Sequence, residues 1–191
     1  MFKKILVLMI ALICFFSISA ISAGDINNND SVAMVADSPG TFNDLAGLIS
    51  GTSGGETLVL TKNYTNTDNY QENGIPINEN IIIDGNGYTI DAQGKRRIFN
   101  IGSGVSVTLK NITFINGKET VPTASGGAIS SSGSVTVIGS TFINTTARDG
   151  GAISSSGSVT VIGSTFINTT ARDGGAISSS GSVTVIGSTF I

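Results

Sequence analysis

A 24-residue unit that recurs letter for letter is the feature that most constrains how this chain can fold. The unit GGAISSSGSVTVIGSTFINTTARD occupies residues 126–149 and recurs at 150–173. It begins again at Gly174, and the chain ends at Ile191 within this third copy. A fixed period of about 20–50 residues is typical of proteins built from stacked repeats, in which each repeat contacts its neighbours. The repeat therefore predicts a function that depends on surface and length.

The composition of the repeat predicts β-structure. Ser134–Val137 alternates polar and apolar residues, which is the periodicity of a strand with its valines on one face. Glycines are unfavourable inside helices, and we expect Gly133 and Gly139 at turns because glycine adopts positive φ without strain. One copy should then form one coil, with equivalent side chains stacked about 4.8 Å apart. The expected internal ladders are Val135–Val159–Val183, Val137–Val161–Val185 and Phe142–Phe166–Phe190.

Asn144 and Asn168 recur at the same spacing, and we expect them to stack inside the coil. Stacked amides donate to and accept from one another, which satisfies polar groups at a tight corner. Both residues also begin an Asn-x-Thr triplet, the acceptor sequence for N-linked glycans in secreted chains. A buried amide cannot carry a sugar, so the two interpretations conflict and the inward stack is preferred. Similar triplets begin at Asn29, Asn63 and Asn111.

Residues 56–125 read as degenerate coils with loop insertions. Short apolar runs bounded by Gly, Asn, Asp or Ser predict strands. These runs are Thr57–Leu60, Ile81–Ile83, Tyr88–Ile90, Ile98–Ile101 and Val105–Leu109. The run Val105–Leu109 followed by Thr113–Asn116 matches Val135–Val137 followed by Thr141–Asn144. The offset between them is 28 rather than 24 residues, and the extra residues fall within 117–125. The polar stretch 63–78 is interpreted as a loop or lateral insertion.

The first residues have the layout of a secretory signal peptide, predicted at 1–23. Lys3 and Lys4 precede an apolar run, and the small residues Ser22 and Ala23 mark the expected cleavage point. The run of about 14 apolar residues is short for a membrane span of about 20, although an uncleaved anchor is the alternative. No other membrane span is expected.

Residues 24–40 are predicted to be a flexible leader, and 41–55 a capping helix with its turn. Phe42, Leu45 and Leu48 have helical spacing, and Thr41 or Asn43 would cap the helix. We expect this short amphipathic helix to cover the open first coil. It must pack on something, because so short a helix is unstable alone.

Composition excludes several classes of site. The chain has no histidine, and its one cysteine, Cys14, lies in the predicted signal segment. The mature chain would therefore have no disulfide, no thiolate or imidazole metal ligand and no histidine base. Loss of Lys3 and Lys4 takes the formal net charge from −3 to −5, which argues against a nucleic-acid partner.

Two upstream segments and two repeated motifs carry a resemblance to a known family. The segments are IIIDGNGYTIDA (81–92) and RIFNIGSGVSVTLKNITFING (97–117), and the motifs are GGAI and TFIN. They resemble right-handed parallel β-helix repeat proteins, and more narrowly the adhesin-like surface proteins of methanogenic archaea. GGAI is also similar to repeats of bacterial polymorphic outer-membrane proteins, although Asn144 stands one residue too early for their FxxN motif. The resemblance covers Leu58 to the end of the chain, and implies cell-envelope display and adhesion.

Some parallel β-helix proteins cleave polysaccharides with clustered carboxylates. The candidates in this chain are Asp84, Asp91 and the pairs Arg148–Asp149 and Arg172–Asp173. Asp84 is also explained by its DGNG turn, and the recurring pairs by a mixed-charge ladder at a corner. A calcium site is disfavoured because the arginine of each repeat neutralises its one carboxylate. We therefore assign no catalytic, metal or cofactor residue.

These features together predict an all-β, right-handed parallel β-helix of roughly 24-residue coils, secreted or displayed on a cell surface. The predicted role is non-catalytic adhesion or envelope scaffolding, with glycans or envelope or host surface proteins as partners. A passive stalk and a polysaccharide lyase or hydrolase are the alternatives. The third copy ends inside a strand, so Val185 and Phe190 should face water, and we expect further C-terminal sequence.

Overall fold

The computed structural model describes residues 38–68, 70, 73–119 and 125–191. The predicted signal peptide (1–23) and residues 24–37 of the predicted leader lie outside the described residues, as does Asn29. The described chain forms a parallel β-helix with one short helix, and each complete coil supplies one strand to each of three parallel sheets. The prediction of an all-β stack with coils of about 24 residues is confirmed.

We name the sheets A, B and C, and the chain passes through them in the repeating order B, A, C. Sheet A contains β1 (Gly40–Thr41), β3 (Tyr64–Thr65), β6 (Thr89–Asp91), β9 (Thr113–Ile115), β12 (Thr141–Ile143), β15 (Thr165–Ile167) and β18 (Thr189–Phe190). Sheet B contains β2 (Thr57–Val59), β5 (Ile82–Asp84), β8 (Ser106–Lys110), β11 (Ser134–Ile138), β14 (Val159–Ile162) and β17 (Val183–Ile186). Sheet C contains β4 (Ile75–Ile77), β7 (Phe99–Ile101), β10 (Ile129–Ser131), β13 (Ile153–Ser155) and β16 (Ile177–Ser179).

The strand register makes one copy of the repeat equal to one coil. Val135 pairs with Val159, 24 residues on, whereas Ser106 pairs with Ser134, 28 residues on. The four extra residues lie between β9 and β10, as the sequence predicts, because β9 pairs with β12 at an offset of 28 and β10 pairs with β13 at an offset of 24. The lengthened coil therefore keeps its strands in register and places its extra length at one corner.

Identical side chains stack along the interior. The rings of Phe114, Phe142, Phe166 and Phe190 lie 4.7–4.8 Å apart between successive centroids. Two rows of valines pair in register beside them in sheet B. Phe142, Phe166 and Val161 are fully buried, and burial of each such side chain contributes about 1.5–3 kcal/mol. The predicted phenylalanine and valine ladders are confirmed.

Two ladders of serine, which the sequence analysis missed, line the corners on either side of sheet B. Ser164 Oγ accepts from Ser140 N at 3.2 Å and donates to Ile162 O at 3.0 Å. At the other corner, Ser131 Oγ donates to Gly133 O at 2.9 Å and accepts from Gly133 N at 3.2 Å. Each buried hydroxyl thus satisfies backbone groups where the chain turns away from a strand.

The N-terminal helix α1 (Phe42–Ser50) takes the place that a strand of sheet C would occupy before β4. It follows β1 of sheet A, precedes β2 of sheet B, and packs on β4, β1 and β3. Thr41 caps it: Thr41 Oγ1 accepts from Asp44 N at 3.1 Å, and Asp44 Oδ2 accepts from Thr41 N at 2.8 Å. Of the two predicted capping residues, Thr41 and Asn43, the structure therefore selects Thr41.

The buried face of α1 differs from the prediction at one residue. Phe42 and Leu45 are buried as expected, but Leu48 is 45% exposed and Ile49 is buried instead. Ile49 lies seven residues after Phe42, close to two full helical turns, so it returns to the face that meets the coil.

The interpretation of residues 63–78 as a loop is wrong, because this stretch contains β3 and β4. Pro76 lies in the middle of β4, and a proline argues against a strand because it has no N–H to donate. The strand tolerates Pro76 because β4 is the edge strand of sheet C and, among the described strands, pairs only with β7. The sequence analysis also assigned no strand to Ile129–Ser131, which forms β10.

Candidate functional site

Left-handed backbone conformations mark the two corners that flank sheet A. Among the described residues, the non-glycine residues with positive φ all have φ between 50° and 55°. Five are asparagines and one is a glutamine: Asn86, Gln93, Asn111, Asn116, Asn144 and Asn168. Asparagine tolerates this conformation better than most residues, which explains why it recurs where the chain leaves a strand.

The prediction that Asn144 and Asn168 point inward is wrong, since both are exposed. The left-handed residue interrupts the in–out alternation of β12: Ile143 faces outward, Asn144 follows it outward, and Thr145 is fully buried instead. The amides still meet, because Asn168 Nδ2 donates to Asn144 Oδ1 at 3.4 Å. The amide stack therefore lies on the outside of the coil, where it no longer conflicts with an accessible acceptor triplet.

The outward asparagines line a shallow cavity of about 470 Å³ at the corner between sheets A and C. We call it the Asn groove, and it is lined by Asp91, Gln93, Gly94, Asn116, Lys118, Asn144 and Thr146. Three successive coils contribute to it through the corners that follow β6, β9 and β12. The groove therefore runs along the stack of coils rather than around one coil.

Hydrogen bonds between coils fix the floor of the Asn groove. The backbone N–H of Asn116 donates to Ile143 O at 3.0 Å, and that of Thr146 donates to Gly117 O at 2.9 Å. Asp91 Oδ1 accepts from Gln93 N at 2.7 Å and from Asn116 Nδ2 at 2.9 Å. The lining side chains are thus held on a backbone whose own polar groups are already paired.

The Asn groove contains one carboxylate and one ammonium among its lining residues, and the remaining polar side chains are uncharged. Lys118 is exposed, forms a parallel bridge with Thr146 through its backbone, and makes no ion pair with any described residue. Its backbone N–H donates to Arg96 O at 3.1 Å. The groove is therefore close to neutral and rich in hydrogen-bonding groups.

Asp84, another candidate carboxylate, lies at the corner between sheets B and A. Its Oδ1 accepts from Asn86 N at 3.0 Å and from Asn111 Nδ2 at 3.2 Å, and Lys110 Nζ lies 3.1 Å from its Oδ2. The Asn86 N–H above all, with help from Asn111 and Lys110, lowers the pKa of Asp84 against the opposing effect of burial. Asp84 ends β5 of sheet B and Asp91 ends β6 of sheet A, so the structure places these two candidates at different corners of the coil.

The corner next to Asp84 has glycine in the exact repeats where the upstream coil has asparagine. Asn86, Gly87, Asn111, Ile112, Thr113 and Gly139 line a cavity of about 410 Å³ there. In the exact repeats, Gly139 and Gly163 take the left-handed position that Asn111 occupies upstream. This corner therefore loses its carboxamides, whereas the corner of the Asn groove keeps them at Asn144 and Asn168.

The recurring Arg–Asp pairs form within each copy rather than between coils. Arg148 Nε lies 3.6 Å from Asp149 Oδ2, and Arg172 Nη2 lies 2.9 Å from Asp173 Oδ2. The neighbouring Arg172 guanidinium lowers the pKa of Asp173. The Arg148–Asp149 pair is partly exposed and the Arg172–Asp173 pair is exposed; such pairs contribute little to stability and fit a structural role at a corner better than a reaction centre.

A buried ion pair that the sequence analysis missed joins Arg97 to Glu119. Arg97 Nη2 lies 2.7 Å from Glu119 Oε2, Arg97 Nε donates to the same oxygen at 3.1 Å, and the side chains are 5% and 1% exposed. Loss of one partner from such a pair costs about 3–5 kcal/mol. Neither residue lies in the exact repeats, and they are 22 positions apart, so no sequence pattern linked them.

No cluster of three or more His, Cys, Asp or Glu side chains that could hold a metal ion occurs in the described part of the chain. Across the same ranges, no helix combines the length and the apolar character needed to cross a membrane. Comparison with protein-family models, with curated proteins and with solved structures found no match to this chain.

Proposed function

We propose that this chain is a secreted or surface-displayed β-helix that acts without catalysis in adhesion or cell-envelope scaffolding. The observation that carries the proposal is a set of outward threonine rows in register from coil to coil. In sheet A the row is Thr89, Thr113, Thr141, Thr165 and Thr189. In sheet B the row is Thr108, Thr136, Thr160 and Thr184.

The regular spacing of these rows suits contacts that are weak singly and strong together. Each threonine offers a hydroxyl that both donates and accepts, and successive coils repeat it at about 4.8 Å. A partner with its own repeating polar groups, such as a glycan or an envelope protein, meets several rows at once. Multiple engagement then raises the apparent affinity well above that of a single contact.

The predicted signal peptide supports an extracellular location. Beyond Cys14 the chain has no cysteine, so an extracellular form has no disulfide to stabilise it. The continuous interior of stacked phenylalanines and valines provides stability without one. The resemblance to adhesin-like surface proteins of methanogenic archaea is consistent with this location.

The arrangement of the carboxylates supports a non-catalytic role. A polysaccharide-cleaving site needs two groups that reach one bond. Asp84 and Asp91 lie at different corners, and each accepts hydrogen bonds from its own neighbours.

Retention of the folded chain on immobilised glycans and on intact cell envelopes tests the proposal. We expect saturable retention that is lost when the chain is thermally unfolded. No retention on either surface would contradict adhesion and favour the passive stalk. Release of reducing ends or unsaturated products from a panel of uronans, abolished by Asp84→Ala or Asp91→Ala, would contradict the non-catalytic role.

A further inference from the structure

We propose that the Asn groove binds a neutral polysaccharide strand that runs parallel to the axis of the β-helix. This inference rests on the proposed function and assigns it a site and a ligand class. The groove has the features that the outer threonine rows lack: a concave shape, a volume of about 470 Å³, and side chains from three coils directed at the same space.

The unpaired polar atoms of the groove match sugar hydroxyl groups. Asp91 Oδ1 is occupied by two donors, while its Oδ2 accepts no hydrogen bond from the described residues. Asn144 Oδ1 accepts from Asn168, and Asn144 Nδ2 donates to none of the described residues. The groove thus offers one free acceptor and one free donor, two coils apart, and both suit hydroxyls, which donate and accept together.

The spacing of the groove favours a polymer over a single sugar. Asp91 lies on the coil before Asn116, and the nearby stacked phenylalanine rings place the successive coils of Asn116, Asn144 and Asn168 4.7–4.8 Å apart. That distance is comparable to the length of one hexose unit in an extended polysaccharide. Each coil can therefore contact the next sugar of the polysaccharide, and Asn168 continues the series of carboxamides beyond Asn144.

The charge of the groove favours a neutral strand. The carboxylate of Asp91 and the ammonium of Lys118 balance one another among the lining residues. A polyuronate would bring its carboxylates against Asp91, and repulsion between like charges opposes such binding. Lys118 instead can donate to a ring, hydroxyl or acetamido oxygen.

The left-handed corners allow the groove to be tested without disturbing the fold. Asn116 and Asn144 have φ of 54°, a conformation that glycine adopts readily. Asn116→Gly and Asn144→Gly therefore remove the two carboxamides and keep the backbone. Asn111→Gly is the matched control, because Asn111 has φ of 55° and lies at the other corner, outside the groove.

Calorimetric titration of the full chain with cello- and chito-oligosaccharides of increasing length is the measurement, with polygalacturonate as the anionic comparison. We expect affinity to rise with length until the coils of the groove are filled. The double variant Asn116→Gly/Asn144→Gly should weaken binding about tenfold or more, and Asn111→Gly should leave it unchanged. Circular dichroism melting curves would verify that all three proteins are folded.

Three results would overturn the inference: no binding of any neutral oligosaccharide, equal binding by the double variant, or tighter binding of polygalacturonate. The retention assay separates this failure from failure of the proposed function. If the double variant is retained on envelopes as well as the unaltered chain, adhesion stands and the groove is not its site. If the unaltered chain is not retained, the proposed function itself fails.

Discussion

Phe142 stacks face to face on Phe166, with ring centroids 4.8 Å apart and ring planes within 2° of parallel. The separation equals the spacing of adjacent strands, so the rings follow the backbone without adjustment. The same contact joins Phe166 to Phe190 at 4.7 Å. The core of the repeats thus consists of the same side-chain contacts, repeated between each pair of successive coils.

Truncation of two members of this stack should have unequal effects. Phe166 is fully buried, whereas Phe190 is 49% exposed. We expect Phe166→Ala to lower the free energy of unfolding by about 3–5 kcal/mol, and Phe190→Ala to cost well under half of that. Urea denaturation followed by circular dichroism measures both. Equal losses would mean that burial does not determine the contribution of the stack.

A negative charge placed on either of two neighbouring residues of β14 should distinguish the inner from the outer face of sheet B by its effect on stability. Val161 is fully buried and Thr160 faces outward. Val161→Asp should disrupt the coil, because an unpaired charge in the dry interior is far costlier than one in water. Thr160→Asp should change stability by about 0.5 kcal/mol or less. Hydrogen exchange of the β14 amides reports both, and similar exchange in the two variants would refute the assigned faces.

Thr145 offers a stabilising substitution. Its side chain is fully buried, and its Oγ1 has no hydrogen-bond partner among the described residues. Thr145→Val removes this unpaired hydroxyl and retains the shape, so we expect a gain of about 1 kcal/mol or more in the free energy of unfolding.

Ser164→Ala is the opposing control for Thr145→Val. It deletes the oxygen that accepts from Ser140 N at 3.2 Å, and leaving a buried donor unpaired costs about 1–3 kcal/mol. Thermal melts of the two variants should therefore shift in opposite directions. A decrease in melting temperature for Thr145→Val would show that its hydroxyl is paired in solution.

Asp84 should make stability depend on pH in the acid range. The pKa of Asp84 is lowered chiefly by the Asn86 N–H, whereas an unfolded aspartate titrates near about 3.9. The unfolded chain then binds more protons, so the stabilisation present above about pH 4 is lost as pH falls through the native pKa. Asp84→Asn should reduce the loss of melting temperature between about pH 5 and about pH 3.

Lys110→Gln is the matched variant for this effect. Lys110 contributes less than the Asn86 N–H to lowering the pKa of Asp84. The variant should therefore keep most of the acid dependence that Asp84→Asn removes. If Lys110→Gln abolishes the dependence as fully, the ion pair rather than the turn controls the titration.

The periodic part of the structure was predictable from sequence because an assignment made for one copy of the repeat applies to the equivalent residues of every copy. Once Val135 and Phe142 are assigned to the interior, the equivalent residues 24 positions on follow, and the register confirms them. The helix cap was predictable to within two candidates, Thr41 and Asn43, for a different reason: its hydrogen bonds are local in sequence.

The remaining features depend on geometry that no period encodes. Asn144 faces outward because one left-handed residue reverses the alternation, and φ is not visible in a residue pattern. β4 contains Pro76, and a strand tolerates a proline at its middle only at the edge of a sheet. That edge position is known only from the assembled sheet. The Asn groove was missed because of the first of these errors, since it requires the outward orientation of Asn144.

The position of α1 has a consequence for association between molecules. Open strand edges pair readily with strands of other chains and lead to aggregation. At the start of sheet C, α1 packs on β4 and covers its free edge. The backbone groups of a helix are bonded to one another, so α1 offers no edge on which another strand could pair. Pro76 reinforces this barrier because the middle of β4 has no N–H to offer. This edge of the stack is thus protected against amyloid-like addition.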